Sequence, residues 1–240
     1  MFTKATKYKR PARVEIQGLA GSGKSYTALS LGKAFAGPDG KVAVVDTEHG
    51  RSELYSDLFN FDVVKLDVFA PSAYIDCLTA AEKAGYSVVI LDSLSHAWIG
   101  RGGVLDIANG VFSGWKKATP EHNRLIEAIL SSPLHVISTC RMKTGYSVEK
   151  DAQGKQVVNK LGLEVVQRDG IEYEFDWILE MDSSHNGKIL KTPLPSIDGL
   201  VLPKPGEDLA NIILNFLNSG ADAPAKAAPV PTPAPARRLV

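Results

Sequence analysis

Gly18-Leu19-Ala20-Gly21-Ser22-Gly23-Lys24-Ser25 has the spacing G-x-x-x-x-G-K-[ST] of a phosphate-binding loop. Its flanks suit that reading. Residues 13–17 (Arg-Val-Glu-Ile-Gln) read as a short strand, and residues 26–36 read as a helix with Ala28, Leu31 and Phe35 on one face. Glycines at these positions let backbone N–H groups turn inward on an anion, and the helix N-terminus adds the positive end of its dipole. Lys24 then reaches the β- and γ-phosphates of ATP, and the Ser25 hydroxyl sits on Mg²⁺. The nucleotide-binding set is Gly18, Leu19, Ala20, Gly21, Ser22, Gly23, Lys24, Ser25 and Tyr26.

Working outward, Gly37-Pro38-Asp39-Gly40 is a turn signal. Residues 41–46, 61–68, 86–92 and 134–139 read as strands, several too apolar to have one wet face. Residues 71–84 read as a helix, and residues 104–131 as largely helical with an interruption at Thr119-Pro120. Strands alternating with helices in this way imply a mostly parallel sheet covered on both faces. Beyond residue 140 the style changes. Residues 144–160 are polar around Asp151-Ala152-Gln153-Gly154 and read as a mobile β-hairpin. A strand is expected at 172–181, a hairpin turn at Asn186-Gly187, and an amphipathic helix at 207–217. The expected organisation is a basic arm (1–12), one α/β domain (13–218) and a disordered Pro/Ala-rich tail (219–240).

Composition narrows the class. With 240 residues, 44% of them hydrophobic, the chain can bury the core of one α/β domain. No apolar run is long enough to span a bilayer, so no membrane partner is expected. Cys77 and Cys140 lack metal-ligand spacing, which points to a reducing cytoplasmic setting. The formal net charge is zero, so bulk charge does not announce nucleic acid. Lys4, Lys7, Lys9, Arg10 and Arg13 nevertheless crowd the N-terminus with no acid among them. That arm reads either as solvated or as phosphate-contacting.

Two acids complete the chemistry. Val88-Val89-Ile90-Leu91-Asp92 is an apolar strand ending in a carboxylate, the pattern of a Walker B strand, and Asp92 would hold Mg²⁺ with Ser25. Hydrolysis also needs a group that orients water. Ser93, not Glu, follows Asp92, so the catalytic candidate beside Lys24 is Glu48, just past the second strand.

Asp46-Thr47-Glu48-His49 and Asp92-Ser93 resemble the RecA-type ATPases, in which this Glu activates water. The stretch 136–143 (Val-Ile-Ser-Thr-Cys-Arg-Met-Lys) resembles the RecA strand entering the second DNA-binding loop. Thr139 stands where RecA carries a Gln that senses the γ-phosphate. Residues 13–192 resemble the small RecA-like ATPases of bacteriophages, some of which are single-strand annealing recombinases. The resemblance implies an α/β RecA-like phosphate-loop core working in the bacterial host cytoplasm. It implies ATP hydrolysis, binding of single-stranded DNA for annealing or strand exchange, a homo-oligomeric ring or filament, and a single-strand-binding protein as partner. Arg141, Lys143, Lys150, Lys155 and Lys160 would track phosphates, with Tyr146 stacking a base. The same stretch also reads as an ordinary polar hairpin, since acids are interspersed. Lys188 and Lys191 resemble in placement the RecA lysines that reach a neighbour's ATP. Phe2 and Ala5 have the F-x-x-A form of the RadA polymerisation motif. The rival expectation is an ATP-gated oligomeric phage regulator or scaffold acting on a protein partner without DNA.

Overall fold

The computed structural model describes residues 2–150 and 156–222, with the backbone alone at 146–150 and 156–161. Lys155 therefore lies outside the described residues, as do the side chains of Tyr146, Lys150 and Lys160.

The chain alternates strands and helices in the order β1 (Arg13–Gly18), α1 (Lys24–Ala36), β2 (Val42–Asp46), β3 (Asp62–Lys65), α2 (Pro71–Lys83), β4 (Val88–Asp92), α3 (Ser95–Ile99), α4 (Val104–Ala108) and α5 (Trp115–Ser131). There follow β5 (His135–Lys150), β6 (Gln156–Val165), β7 (Trp177–Met181), β8 (Asn186–Lys191), β9 (Val201–Pro203) and α6 (Glu207–Asn218). The strands form one sheet in the order β3-β2-β4-β5-β1-β7-β8-β9, with β6 paired to β5. From β3 to β7 every pairing is parallel, and β8, β9 and β6 add antiparallel partners. This is the mostly parallel α/β sheet with late antiparallel hairpins that the alternation of strands and helices led one to expect.

Alternation along the strands divides the core between two faces. Val14 and Ile16 of β1, Val88 and Ile90 of β4 and Ile137 of β5 pack with Leu31 and Phe35 of α1 and Leu209 and Ile213 of α6. Val89, Leu91, Val136 and Cys140 face the other way, onto Tyr74 and Leu78 of α2 and Leu125 and Ile129 of α5. Burial of each such large side chain contributes about 1.5–3 kcal/mol. Both faces are thus dry, which is why these strands read as continuous apolar runs.

Several elements depart from the sequence reading. β3 is shorter than 61–68 because it is an edge strand with Asp62, Val64 and Lys65 exposed. β5 does not stop at residue 139 but runs on to Lys150, because β6 supplies a new partner once β1 ends. α5 runs through Pro120 without interruption. The proline costs one backbone bond near the helix start, and the buried face of Ala118, His122, Leu125 and Ile129 holds the helix together. Residues 171–173 form a 3₁₀ turn ahead of β7 rather than part of the strand. The β7–β8 turn lies at Asp182–His185, and Asn186-Gly187 opens the next strand. Asp182 makes that turn by accepting from the amides of Ser184 and Asn186, 2.8 Å each. Gly187 is needed in the strand for a different reason: a Cβ there would lie 2.7 Å from Pro205 and 2.8 Å from Leu179.

The basic arm is docked. Lys9 N and Ala221 N exchange backbone bonds with Ala221 O and Lys7 O, at 2.8 and 2.9 Å. Lys7 Nζ donates to Phe216 O, 2.7 Å, at the C-terminal end of α6 and lies 3.4 Å from the Phe216 ring centre. A cation there satisfies an orphan helix carbonyl and complements the dipole. Residues 219–222, expected to belong to the tail, are the arm's partner.

Candidate nucleotide site

The parallel strands end together along one sheet edge at Gly18, Asp46, Asp92 and Met181. Outside that edge lies a cleft of about 920 Å³. One strand, β5, stands between β1, which feeds the glycine loop, and β4, which carries Asp92. That crevice at the carboxyl ends of the strands is where open α/β sheets bind ligands.

The loop is shaped by its glycines. A Cβ on Gly18 would fall 2.4 Å from Ser22 Oγ and 2.9 Å from the Met181 carbonyl. Gly23 has φ 92°, a conformation open to glycine at little cost. Lys24 Nζ donates to Leu19 O, 2.9 Å, across the loop. Burial lowers the Lys24 pKa, while Asp92 and Glu48 oppose that shift.

Asp92 is 3% exposed. Its carboxyl accepts from Thr139 Oγ1, 2.5 Å, and the Ser25 hydroxyl lines the same cleft. Burial raises the Asp92 pKa, against the lowering influence of the Ser25 and Thr139 hydroxyls. Such a carboxylate gains from a nearby cation, and with the Ser25 hydroxyl it offers the hard oxygen donors that Mg²⁺ prefers. Among the described residues no cluster of three or more His, Cys, Asp or Glu could hold a metal. The donor set therefore fits an ion completed by phosphate oxygens rather than a protein cage. Thr139 is wholly buried, with its hydroxyl committed to Asp92.

Glu48 comes from the loop after β2, and Asp46 builds that loop. The Asp46 carboxylate accepts from the amides of Glu48 (2.7 Å), Gly50 (3.1 Å) and Ser52 (3.1 Å), and from the Ser52 hydroxyl. Burial alone would raise its pKa, but these donors hold it below the ordinary value. Glu48 then meets Arg141, whose Nε and Nη2 donate to its two oxygens at 2.8 and 2.5 Å. Behind it, Thr47 Oγ1 accepts from Ser93 N, 2.8 Å, and lies 2.7 Å from His96 Nδ1.

The other end of the cleft is aromatic. Tyr55 and Leu54 line it with Tyr26, whose ring meets Tyr55 and Phe59 edge-on at 5.8 and 5.3 Å between centres. Such rings offer apolar surface on which a nucleobase can pack. His185 and Lys204 close the remaining side, both with positive φ (63° and 43°), and Lys204 N donates to His185 O, 2.9 Å.

The AAA domain family matches residues 10–197. The chain belongs to that family. Family and cleft together make this a phosphate-loop ATPase domain. No curated protein matches the chain. Among solved structures, a KaiC-like protein from the hyperthermophilic archaeon Pyrococcus horikoshii OT3 is 14% identical, with a TM-score of 0.46 over 85% of this chain and 97% of that one. A likeness of that degree adds nothing to the chemistry of the cleft.

The AAA domain gathers Lys24, Ser25, Glu48, Asp92 and Tyr26 around one cleft, together with Arg141. Other candidates lie apart. Lys143 is exposed and 3.9 Å from Glu164. Lys191 Nζ donates to the carbonyls of Glu172 and Tyr173. It pairs with Ile178, three residues below the sheet edge, whereas exposed Lys188 pairs with Glu180 beside that edge. Phe2 and Ala5 are exposed at the N-terminus, outside the AAA domain match. Sequence reasoning assigned Asp46 no role of its own and did not single out Arg51, Tyr55, His185 and Lys204. Asp46 alone left a signal, an acid two residues ahead of Glu48. No helix among the described residues is long and apolar enough to cross a membrane.

Proposed function

We propose that the protein is a Mg²⁺-dependent ATPase whose turnover is coupled to binding of single-stranded DNA along the β5–β6 hairpin, in phage-type annealing or strand exchange. One observation carries the hydrolytic part: Glu48 faces the cleft that Lys24, Ser25 and Asp92 line. The loop amides and Lys24 bind the triphosphate and neutralise its charge. Ser25 and Asp92 would hold Mg²⁺, which supplies charge stabilisation at the phosphates when bound. Glu48 orients and deprotonates the attacking water. Tyr26 and Tyr55 orient the base.

The DNA part is supported by the sequence resemblance and by the hairpin's origin at the cleft, since β5 runs on from Arg141 at the rim to pair with β6. A second reading, an ATP-gated oligomer acting on a protein partner, is favoured by one observation: Arg141 and Lys143 face Glu48 and Glu164.

The test is ATP turnover with and without single-stranded DNA, with duplex DNA as the comparison. Stimulation by single strands, together with binding that weakens steeply with salt, is expected. Glu48→Ala is expected to bind ATP normally and to lose about 100-fold or more in turnover. Normal turnover removes the water-orienting role, and no DNA binding at low salt selects the second reading.

A further inference from the structure

Arg141 stands where β5 changes partners. Up to Arg141 the strand pairs with β1, with Gly18 opposite Arg141; from Met142 it pairs with β6, with Val165 opposite. Its backbone is held on both sides of this junction. Arg141 N donates to Ser95 Oγ, 2.9 Å, and Arg141 O accepts from Val166 N, 2.8 Å. Its side chain reaches back into the cleft and lays two N–H groups on Glu48, at 2.8 and 2.5 Å.

We infer that Arg141 is a latch, a positioning residue that holds Glu48 idle until the β5–β6 hairpin or an incoming γ-phosphate draws the guanidinium away. The inference rests on reading Glu48 as the water-orienting base. A carboxylate bonded through both oxygens to one guanidinium has its best acceptor sites occupied, and the pairing makes it a weaker base. Burial pushes the Glu48 pKa up, yet the Arg141 bonds and charge, with His96 and Arg51, hold it below the ordinary value. Arg51 stands 3.6 Å from Glu48 Oε2, too far for a hydrogen bond; Lys24 and Asp92 also line the cleft. Arg141 is thus the group whose departure frees Glu48. A guanidinium binds phosphate in the same forked geometry as carboxylate, so a γ-phosphate competes for it directly. A load on the hairpin acts through Val166 and the continuous strand. The release is a change of partner for one side chain, one of the small local events that gate larger switches.

The test uses the full chain with ATP and Mg²⁺, measuring steady-state turnover against pH for the wild type, Arg141→Ala, Arg141→Lys, Glu48→Gln and the Arg141→Ala/Glu48→Gln double variant. Binding of a fluorescent ATP analogue is measured alongside. Arg141→Ala is expected to raise turnover roughly tenfold without partner and to move the acid limb of the profile to higher pH, because Glu48 loses the cation that keeps it charged. Arg141→Lys keeps a charge but not the fork and falls between. The double variant shows no rise over Glu48→Gln, since the gain runs through Glu48. Turnover of Arg141→Ala at or below wild type, with analogue binding unchanged, overturns the latch alone. A wild type that does not bind the analogue overturns the reading of the site and the latch with it.

Discussion

Two loops face each other across the cleft, and they are held in opposite ways. The Gly18–Ser25 loop is shaped by what its residues lack. Gly18 has no side chain because Ser22 and the Met181 carbonyl occupy that space, and Gly23 adopts a left-handed φ. The Asp46–Ser52 loop is shaped by what one residue has, a buried carboxylate that gathers three amides and a hydroxyl. The strands feeding the loops repeat the contrast. Asp46 ends β2 with four donors and a lowered pKa. Glu15, in the middle of β1, is fully buried with Gln17 Nε2 on one oxygen (2.9 Å) and, among the described residues, no hydrogen-bond partner on the other, and burial raises its pKa to about 7. Burial is common to both acids, so the number of donors decides the direction.

The largest expected effect comes from removing the anchor. Asp46→Ala leaves its donors without their acceptor and costs about 2–4 kcal/mol in denaturant unfolding. It also releases Glu48, so turnover falls further than the stability loss explains, while ATP binding survives. Loss of both in equal measure would show that the two loops form one unit. The sign with pH follows from the depressed pKa. The Asp46 contribution is fully present above its ordinary value of 3.8 and fades as pH falls through the lower folded value. Asp46→Asn therefore flattens the acid side of the stability profile below about pH 4.

Glu15 predicts the reverse. Its folded pKa of about 7 exceeds the ordinary 4.5, so the folded state binds the extra proton and stability declines as pH rises between those values. At about 1.4 kcal/mol per unit the decline totals about 3 kcal/mol. Glu15→Gln is expected to leave stability at pH 4.5 unchanged and to raise it at pH 8 by most of that amount, read from unfolding midpoints. An equal effect at both pH values would mean that the carboxyl is not titrating.

The smallest effect sharpens the glycine side. Gly23→Ala meets a left-handed φ and a neighbour, His185 Nδ1, 3.1 Å from the new Cβ. It should cost about 1–2 kcal/mol. Here the loss should appear first as weaker binding of ATP, because the strained peptide lies in the loop that wraps the phosphates. Unchanged affinity would show that the loop relaxes freely around residue 23.

Much of the site was legible because its chemistry is local. The spacing from Gly18 to Ser25 specifies a loop by backbone conformation, and an apolar run ending in Asp92 marks both a buried strand and the edge where it stops. Glu48 could be chosen because only a residue just beyond a strand end reaches that edge. The same logic failed in the β7–β8 connection, where Asn186-Gly187 carries the usual turn signature. Asp182 makes the turn instead, and Gly187 serves a close approach to Pro205 and Leu179 that no local pattern encodes. Pro120 failed likewise, since the packing of α5 outweighs one lost backbone bond.

The sequence by itself determined a phosphate loop on a parallel α/β sheet, with Lys24, Ser25, Asp92 and Glu48 at its edge, since each follows from periodicity and short-range spacing. Only the tertiary structure decided what Glu48 touches. Arg141 lies 93 positions away, and the two meet because β5 inserts between β1 and β4 and brings its own end to the same rim. Contacts between residues so far apart depend on strand order, which local patterns do not carry.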